Sequence, residues 1–274
     1  MRRLALLLMV FLLAPFASAR YITISVGLLS SGFISGNSGV LNISVSNFGD
    51  EPAYDVQLGF DMPEGFASEP IFVGVINPNN TALASFNINI SDNVVSGEYY
   101  LNLIVQYADG NGYPFSMVNP VKVVYRTPAQ IMVNGVMEKV EIPGGGSGNL
   151  RLVLNNPDNI AHDLSVRLYL PNEIKADSSE RKVSIPPKGE VDVDYELSSF
   201  GALPGSNYMV YAVVDYVDDL HRSNAVRTNV VITAEKSLFG SFPLWIPAAG
   251  AILLVLVLFY MQLKPRVKQK NKNR

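Results

Sequence analysis

Few residues in this 274-residue chain have types that do chemistry, and their spacing is poor for it. The two histidines, His162 and His221, lie far apart in sequence. No zincin pair, nucleophile elbow or phosphate-cradling glycine loop accompanies them, and a lone loop histidine reads as a surface residue. The chain has no cysteine, which removes the usual thiolate ligands of a tetrahedral zinc centre. Oxygen ligands are better represented. Asp215, Asp218 and Asp219 gather where a hairpin should turn, a composition able to hold calcium. Asp192, Asp194 and Glu196 alternate along one strand and read as a solvated face. Phe60, Phe66, Phe72, Tyr113 and Phe115 lie near strand ends, where they could form a glycan platform or plug a core. Asn42, Asn79 and Asn89 each head an Asn-x-Ser/Thr sequon on an outward or turn position, which makes them candidates for glycosylation. The expectation is a chain that is not an enzyme, with no catalytic residue and no cofactor. Asp215, Asp218 and Asp219 are its only metal candidates.

The elements that position these residues come from a repeat. Sliding the sequence by 109 positions lays Ile22 and Ile24 over Ile131 and Val133, and Leu41, Ile43 and Val45 over Leu150, Leu152 and Leu154. The same shift lays Phe86 and Ile88 over Tyr195 and Leu197. Between these stretches the second copy is one residue shorter, so Tyr54 and Met62-Pro63 meet His162 and Leu170-Pro171 at a shift of 108. Such a period is too long for a solenoid unit and suits an independently folding sandwich. Within each copy apolar residues alternate with polar ones, as in Leu41-Asn42-Ile43-Ser44-Val45-Ser46 and Val191 to Leu197, the period of a half-buried strand. Tyr99 to Tyr107 and Tyr208 to Tyr216 are more uniformly apolar, as central strands should be. Turn residues such as Asn77-Pro78-Asn79-Asn80 and Pro186-Pro187-Lys188-Gly189 separate the runs. About seven strands per copy predict an immunoglobulin-like antiparallel sandwich. Gly144 to Gly148 aligns with Gly36 to Gly39, so it is an internal turn rather than a linker. The boundary falls at Arg126-Thr127-Pro128. Its proline restricts the chain there, predicting two sandwiches, 20–127 and 128–236, joined end to end.

Both ends carry a membrane signature. Arg2 and Arg3, the apolar run Leu4 to Leu13 and Ala17-Ser18-Ala19 compose a signal peptide over residues 1–19. Residues 244–263 are uncharged and long enough for a transmembrane helix. A basic tail at 264–274 follows, which by the positive-inside rule is cytoplasmic. Of the 21 basic residues, two lie in the leader and six in the tail; all 24 acids lie between, giving that part a net charge of −11. So acidic a surface would repel phosphates, which argues against nucleic acid as a partner.

The pattern Val45-Ser46-Asn47-Phe48-Gly49, Ala53-Tyr54-Asp55-Val56, Met62-Pro63-Glu64-Gly65-Phe66 and Gln106-Tyr107-Ala108-Asp109-Gly110 resembles archaeal S-layer-like, adhesion-type surface proteins built from tandem immunoglobulin-like repeats. The second copy departs from it, with Asn156-Pro157-Asp158 and Leu170-Pro171-Asn172-Glu173 in place of the glycine-bearing turns. The resemblance implies a cell-surface location and carries no reactive group. The fold expected is all-β, two tandem immunoglobulin-like sandwiches followed by one transmembrane helix. The function expected is that of a single-pass structural or interaction module in the envelope. Its expected partners are the membrane, envelope or membrane proteins and further copies of itself. The alternative is an extracytoplasmic accessory subunit of a membrane transporter or exporter.

Overall fold

The computed structural model describes residues 21–129 and 131–234, all of them strand, turn or loop. The first copy forms β1 (Ile24–Leu28), β2 (Phe33–Ile34), β3 (Ser38–Asn47), β4 (Ala53–Asp61), β5 (Phe66–Ala67), β6 (Ile71–Ile76), β7 (Thr81–Ile90), β8 (Gly97–Ala108) and β9 (Pro114–Tyr125). The second repeats them as β10 (Asn134–Met137), β11 (Val140–Pro143), β12 (Ser147–Asn155), β13 (His162–Tyr169), β14 (Ile174–Ala176), β15 (Glu180–Ile185), β16 (Glu190–Ser199), β17 (Asn207–Val217) and β18 (His221–Thr233). One sheet of the first copy runs β1-β3-β7-β5, and its counterpart in the second runs β10-β12-β16-β14. The facing sheets run β6-β4-β8-β9 and β15-β13-β17-β18, with β2 and β11 added in parallel to β9 and β18. These are the two-sheet orders of an immunoglobulin-like sandwich. Each copy holds nine strands rather than about seven, because its first strand is split between the sheets and a short rung (β5, β14) borders the first sheet. No helix among the described residues is long and apolar enough to cross a membrane. The leader at 1–19, the span expected at 244–263 and the tail at 264–274 lie outside the described residues.

Alternation explains the cores. Leu41, Ile43 and Val45 point inward from β3, and Leu150, Leu152 and Leu154 do so from β12; all are buried. Leu41 sits opposite Phe86, and Leu150 opposite Tyr195. Each fully buried ring contributes about 1.5–3 kcal/mol. The Tyr195 hydroxyl donates to the Val166 carbonyl at 3.2 Å, so the one polar atom added in the second core is satisfied. The strand-ending asparagines are also equivalent. Asn47 is wholly buried; its amide donates to the Glu51 and Ile76 carbonyls (2.7 and 3.1 Å) and its Oδ1 accepts from Gly49 N (2.9 Å). Asn156 repeats the arrangement with Ile160 O, Pro186 O and Asp158 N at 2.8, 3.0 and 3.0 Å. Each pins the corner after β3 or β12 to the turn before β7 or β16. The Gly144–Gly146 stretch is a tight turn between β11 and β12, closed by Gly146 N donating to Pro143 O at 2.8 Å.

The end-to-end arrangement expected from the short boundary does not hold. The described residues through Thr233 form one compact unit, because the outer face of the first copy's β4-β8-β9 sheet packs on its counterpart in the second copy. Val118, Tyr169 and Val213 are buried there, with Tyr100, Ile104, Tyr211 and Ala225 packed around them. This gives the uniform apolarity of β8 and β17 a second cause: each strand faces its own core on one side and the other copy on the other. At one corner the sheets join through a single parallel bridge between Gly97 and His221. A Cβ on Gly97 would lie 2.0 Å from the His221 carbonyl oxygen, and its φ of +151° suits glycine, so this position must be glycine.

Candidate functional site

The seam between the copies collects most of the residues with chemical potential. At the bridge, His221 N donates to Ser96 O at 2.9 Å and its ring Nδ1 donates to Glu98 O at 2.7 Å. The ring stacks on Tyr99 at 3.8 Å, and its Nε2 is 3.9 Å from Asp215 Oδ1. Ser223 Oγ donates to the same carboxylate oxygen. Serine, histidine and aspartate thus meet, but the serine bonds the aspartate and not the imidazole, so nothing activates it as a nucleophile. Burial raises the Asp215 pKa, opposed by the Ser223 bond and by His221. Neither histidine is the surface loop residue that its isolation suggested. His162 starts β13 and is buried against the Tyr216 ring at 4.4 Å, with its Nε2 3.3 Å from Asp158 Oδ2.

Along the opposite end of the seam runs a groove of about 590 Å³. Its walls include the rings of Tyr107, Phe115 and Tyr208, the carboxylates of Glu51 and Asp109, and the chain from Ile22 to Ile24. Phe115 packs between Tyr107 (5.6 Å, nearly parallel) and Tyr113 (5.0 Å), and the Tyr113 hydroxyl donates to Gly201 O of the second copy. One oxygen of each carboxylate is occupied by local backbone: Glu51 Oε1 accepts from Gly110 N at 3.0 Å, and Asp109 Oδ1 from Asn111 N and Tyr113 N at 2.9 and 2.8 Å. Among the described residues no lysine or arginine lines the groove. Burial, helped by Glu173 and Tyr208, pushes the Tyr107 hydroxyl up to about 12, and burial raises Tyr208 too, so both phenols stay neutral and intact as donors.

Glu173 is the residue that sequence reasoning missed. Buried at the seam, it accepts from Ser116 N and Ser116 Oγ, both at 3.0 Å, while Ser116 Oγ accepts from Asn172 N at 2.6 Å. The signal was present. Asn172-Glu173 replaces Glu64-Gly65 of the first copy, and that departure from the repeat is where the second copy reaches across to the first.

The remaining candidates divide. Asp215 lies in β17, facing Ser223 and His221. Asp218 binds Arg222 Nε at 2.7 Å and Leu220 N at 2.9 Å, and Asp219 is exposed. Among the described residues no three such side chains converge to hold a metal ion, so this acidic trio is not brought together. Phe60 packs edge-on against Phe86 at 4.8 Å, and Phe66 is buried against Tyr99 at 4.8 Å, which makes both core residues and not a platform. Phe72 stands exposed on the edge strand β6, leaving Tyr113 and Phe115 at the seam. Asn42, Asn79 and Asn89 are all exposed, the first and last on the outer face of β3 and β7 and Asn79 in a turn with φ +59°. Asp192, Asp194 and Glu196 are exposed on β16, where Arg151 pairs with Asp192.

No protein-family model matches the chain, and no curated protein matches it. Among solved structures it is similar to Escherichia coli alpha-2-macroglobulin in its native conformation, at 12% identity and a TM-score of 0.31 over 76% of this chain and 17% of that one. A Salmonella alpha-2-macroglobulin mutant gives 12% and 0.32 over 76% and 16%. The periplasmic chaperone SfaE gives 16% and 0.29 over 78% of this chain and 100% of that one. The chain spans less than a fifth of the length of these two macroglobulins, and likenesses this distant say nothing about what it binds.

Proposed function

We propose that this chain is a single-pass, membrane-anchored surface protein whose fused sandwiches act outside the cell as a non-catalytic interaction platform. The carrying observation is the seam. Its histidine and Glu173 are engaged in joining the copies and Asp215 is held by Ser223 within the second, and what it offers outward is a groove of rings and acids, the chemistry of recognition rather than of bond cleavage. The membrane assignment rests on the sequence at 1–19 and 244–274, and the acidic middle supports partners other than nucleic acid.

The absence of cysteine makes topology directly measurable. Leu83→Cys, at an exposed position of β7, should react with a membrane-impermeant maleimide on intact cells, and Asn271→Cys in the tail only after lysis. The reverse pattern overturns the orientation, and protection of both overturns surface display. Crosslinking of the tagged full-length chain in native membranes then tests the role. Recovery of a multi-spanning transporter in constant ratio would replace the platform with an accessory subunit, whereas envelope proteins or further copies of the chain would sustain it.

A further inference from the structure

The groove at the seam has a feature that rings and acids alone would not give it. Its third wall, Ile22 to Ile24, leads into β1, which among the described residues pairs with β3 alone and is an edge strand. A free edge offers unpaired backbone N–H and C=O groups to an incoming chain. Across the groove, the first half of β9 is also unpaired on its outer side, since β2 reaches only Val124 and Tyr125. There the Ser116 N–H is already taken by Glu173, so the open edge is that of β1. The groove is of a size that takes a large side chain with its neighbours, and its described lining holds two carboxylates and no base.

We propose, building on the platform reading above, that this groove receives an extended basic segment of a partner protein. The segment adds along the β1 edge and places a lysine or arginine side chain between Tyr107, Phe115 and Tyr208, with its charge toward Glu51 and Asp109. Each part of the site has a matching task. Edge addition supplies affinity through the main chain, and a side-chain pocket supplies specificity. Aromatic faces attract ammonium and guanidinium groups while covering their aliphatic stems. The acids steer a cation into the site, and one oxygen of each is held by local backbone, which fixes the carboxylate in place.

The test is selection from a random heptapeptide display library on the full-length protein in detergent, followed by titration of the enriched peptides. Enriched peptides should share lysine or arginine at one position flanked by β-forming residues. Their affinity should fall about tenfold for the Glu51→Gln/Asp109→Asn variant, which removes two surface charges while keeping both hydrogen-bond acceptors. It should fall again at raised salt. Tyr107→Ala, checked for an unchanged unfolding midpoint, should lose binding too; if it unfolds, Phe115→Leu replaces it. Enrichment of peptides with no basic position, equal affinity for the charge-neutral variant, or no enrichment at all overturns the groove assignment. A free amine such as arginine amide binding as tightly as the peptides overturns the partner-segment form of it. The platform reading fails separately, on the labelling pattern and on what native crosslinking recovers.

Discussion

On the outer face of the first sandwich, β3 and β7 display Val40, Asn42, Ser44, Leu83, Ser85, Asn87 and Asn89, with no charge among them. On the second, the positions equivalent to Thr81, Leu83, Ser85 and Asn87 are Glu190, Asp192, Asp194 and Glu196, and Arg151 stands where the first has Asn42. The inward residues of the same strands remain paired in kind, Leu41 opposite Phe86 and Leu150 opposite Tyr195. Packing holds the inside of a duplicated sheet to a narrow choice, because volume changes there are felt at once. The outside need only stay solvated. One copy meets that need with charge, the other with amides and hydroxyls, two of which head sequons.

The same comparison extends to the seam, where copies that look alike carry different loads, and it can be broken by substitution. The largest effect is expected at Gly97, whose counterpart is Ser206. Gly97→Val drives a side chain into the His221 backbone and should cost about 3 kcal/mol or more, whereas Ser206→Ala should stay within about 0.5 kcal/mol. Urea denaturation followed by circular dichroism decides it, and equal costs would mean that the bridge does not join the copies. Next come Asn47→Ala and Asn156→Ala. Asn47→Ala strips four hydrogen bonds, the longest of them from Thr23 N at 3.4 Å, and Asn156→Ala strips three; each should destabilise by about 3 kcal/mol, and by similar amounts. A marked inequality in the same assay would break the equivalence of the two corners.

Asp215 sharpens the comparison through pH, since its counterpart is the uncharged Gln106. Burial raises the Asp215 pKa, so the folded chain holds that proton to higher pH than the unfolded one. Its contribution therefore makes stability fall as pH rises from the ordinary carboxylate value of about 3.9 through the raised one, and level off above it. Asp215→Asn should gain on the parent as pH rises above about 4, and Gln106→Asn should show no such trend. Unfolding midpoints across that range measure it. The smallest effect is expected from Leu83→Asp, which writes the second copy's residue onto the first copy's exposed strand. Stability should change by less than about 0.5 kcal/mol, while self-association read by sedimentation velocity should decline, because an exposed leucine on an uncharged face is replaced by charge.

Much of this architecture was legible in the residues, for a physical reason. A repeat reports itself wherever two copies obey the same constraint, so the alternating inward positions, the turn prolines and the corner asparagines Asn47 and Asn156 register at a shift of 109, or of 108 between Tyr54 and Pro63. The seam was not legible as such. An outward residue on a central strand, such as Val213 or Ile104, looks the same whether it faces a partner sheet or belongs to a generally apolar strand, and periodicity does not separate the two. The histidines misled for a related reason: a loop position says nothing about what packs over it, and the ring of Tyr99 covers His221 from the other copy. What could have marked the seam were the places where the copies disagree. Glycine at 97 against serine at 206, and glutamate at 173 against glycine at 65, are asymmetries that a pair of independent sandwiches would have no cause to hold.

The face-to-face seam also sets the arithmetic of growth. A contact in which each copy offers the same sheet consumes both faces at once, as a two-fold dimer interface does, and leaves no complementary surface for a third copy. Lengthening this protein by one more module would strand an apolar sheet in water. Lengthening it by two would not. Relatives that diverge in size should therefore carry even numbers of these modules, with glycine before the Tyr-Tyr strand in the first of each pair and a side chain there in the second.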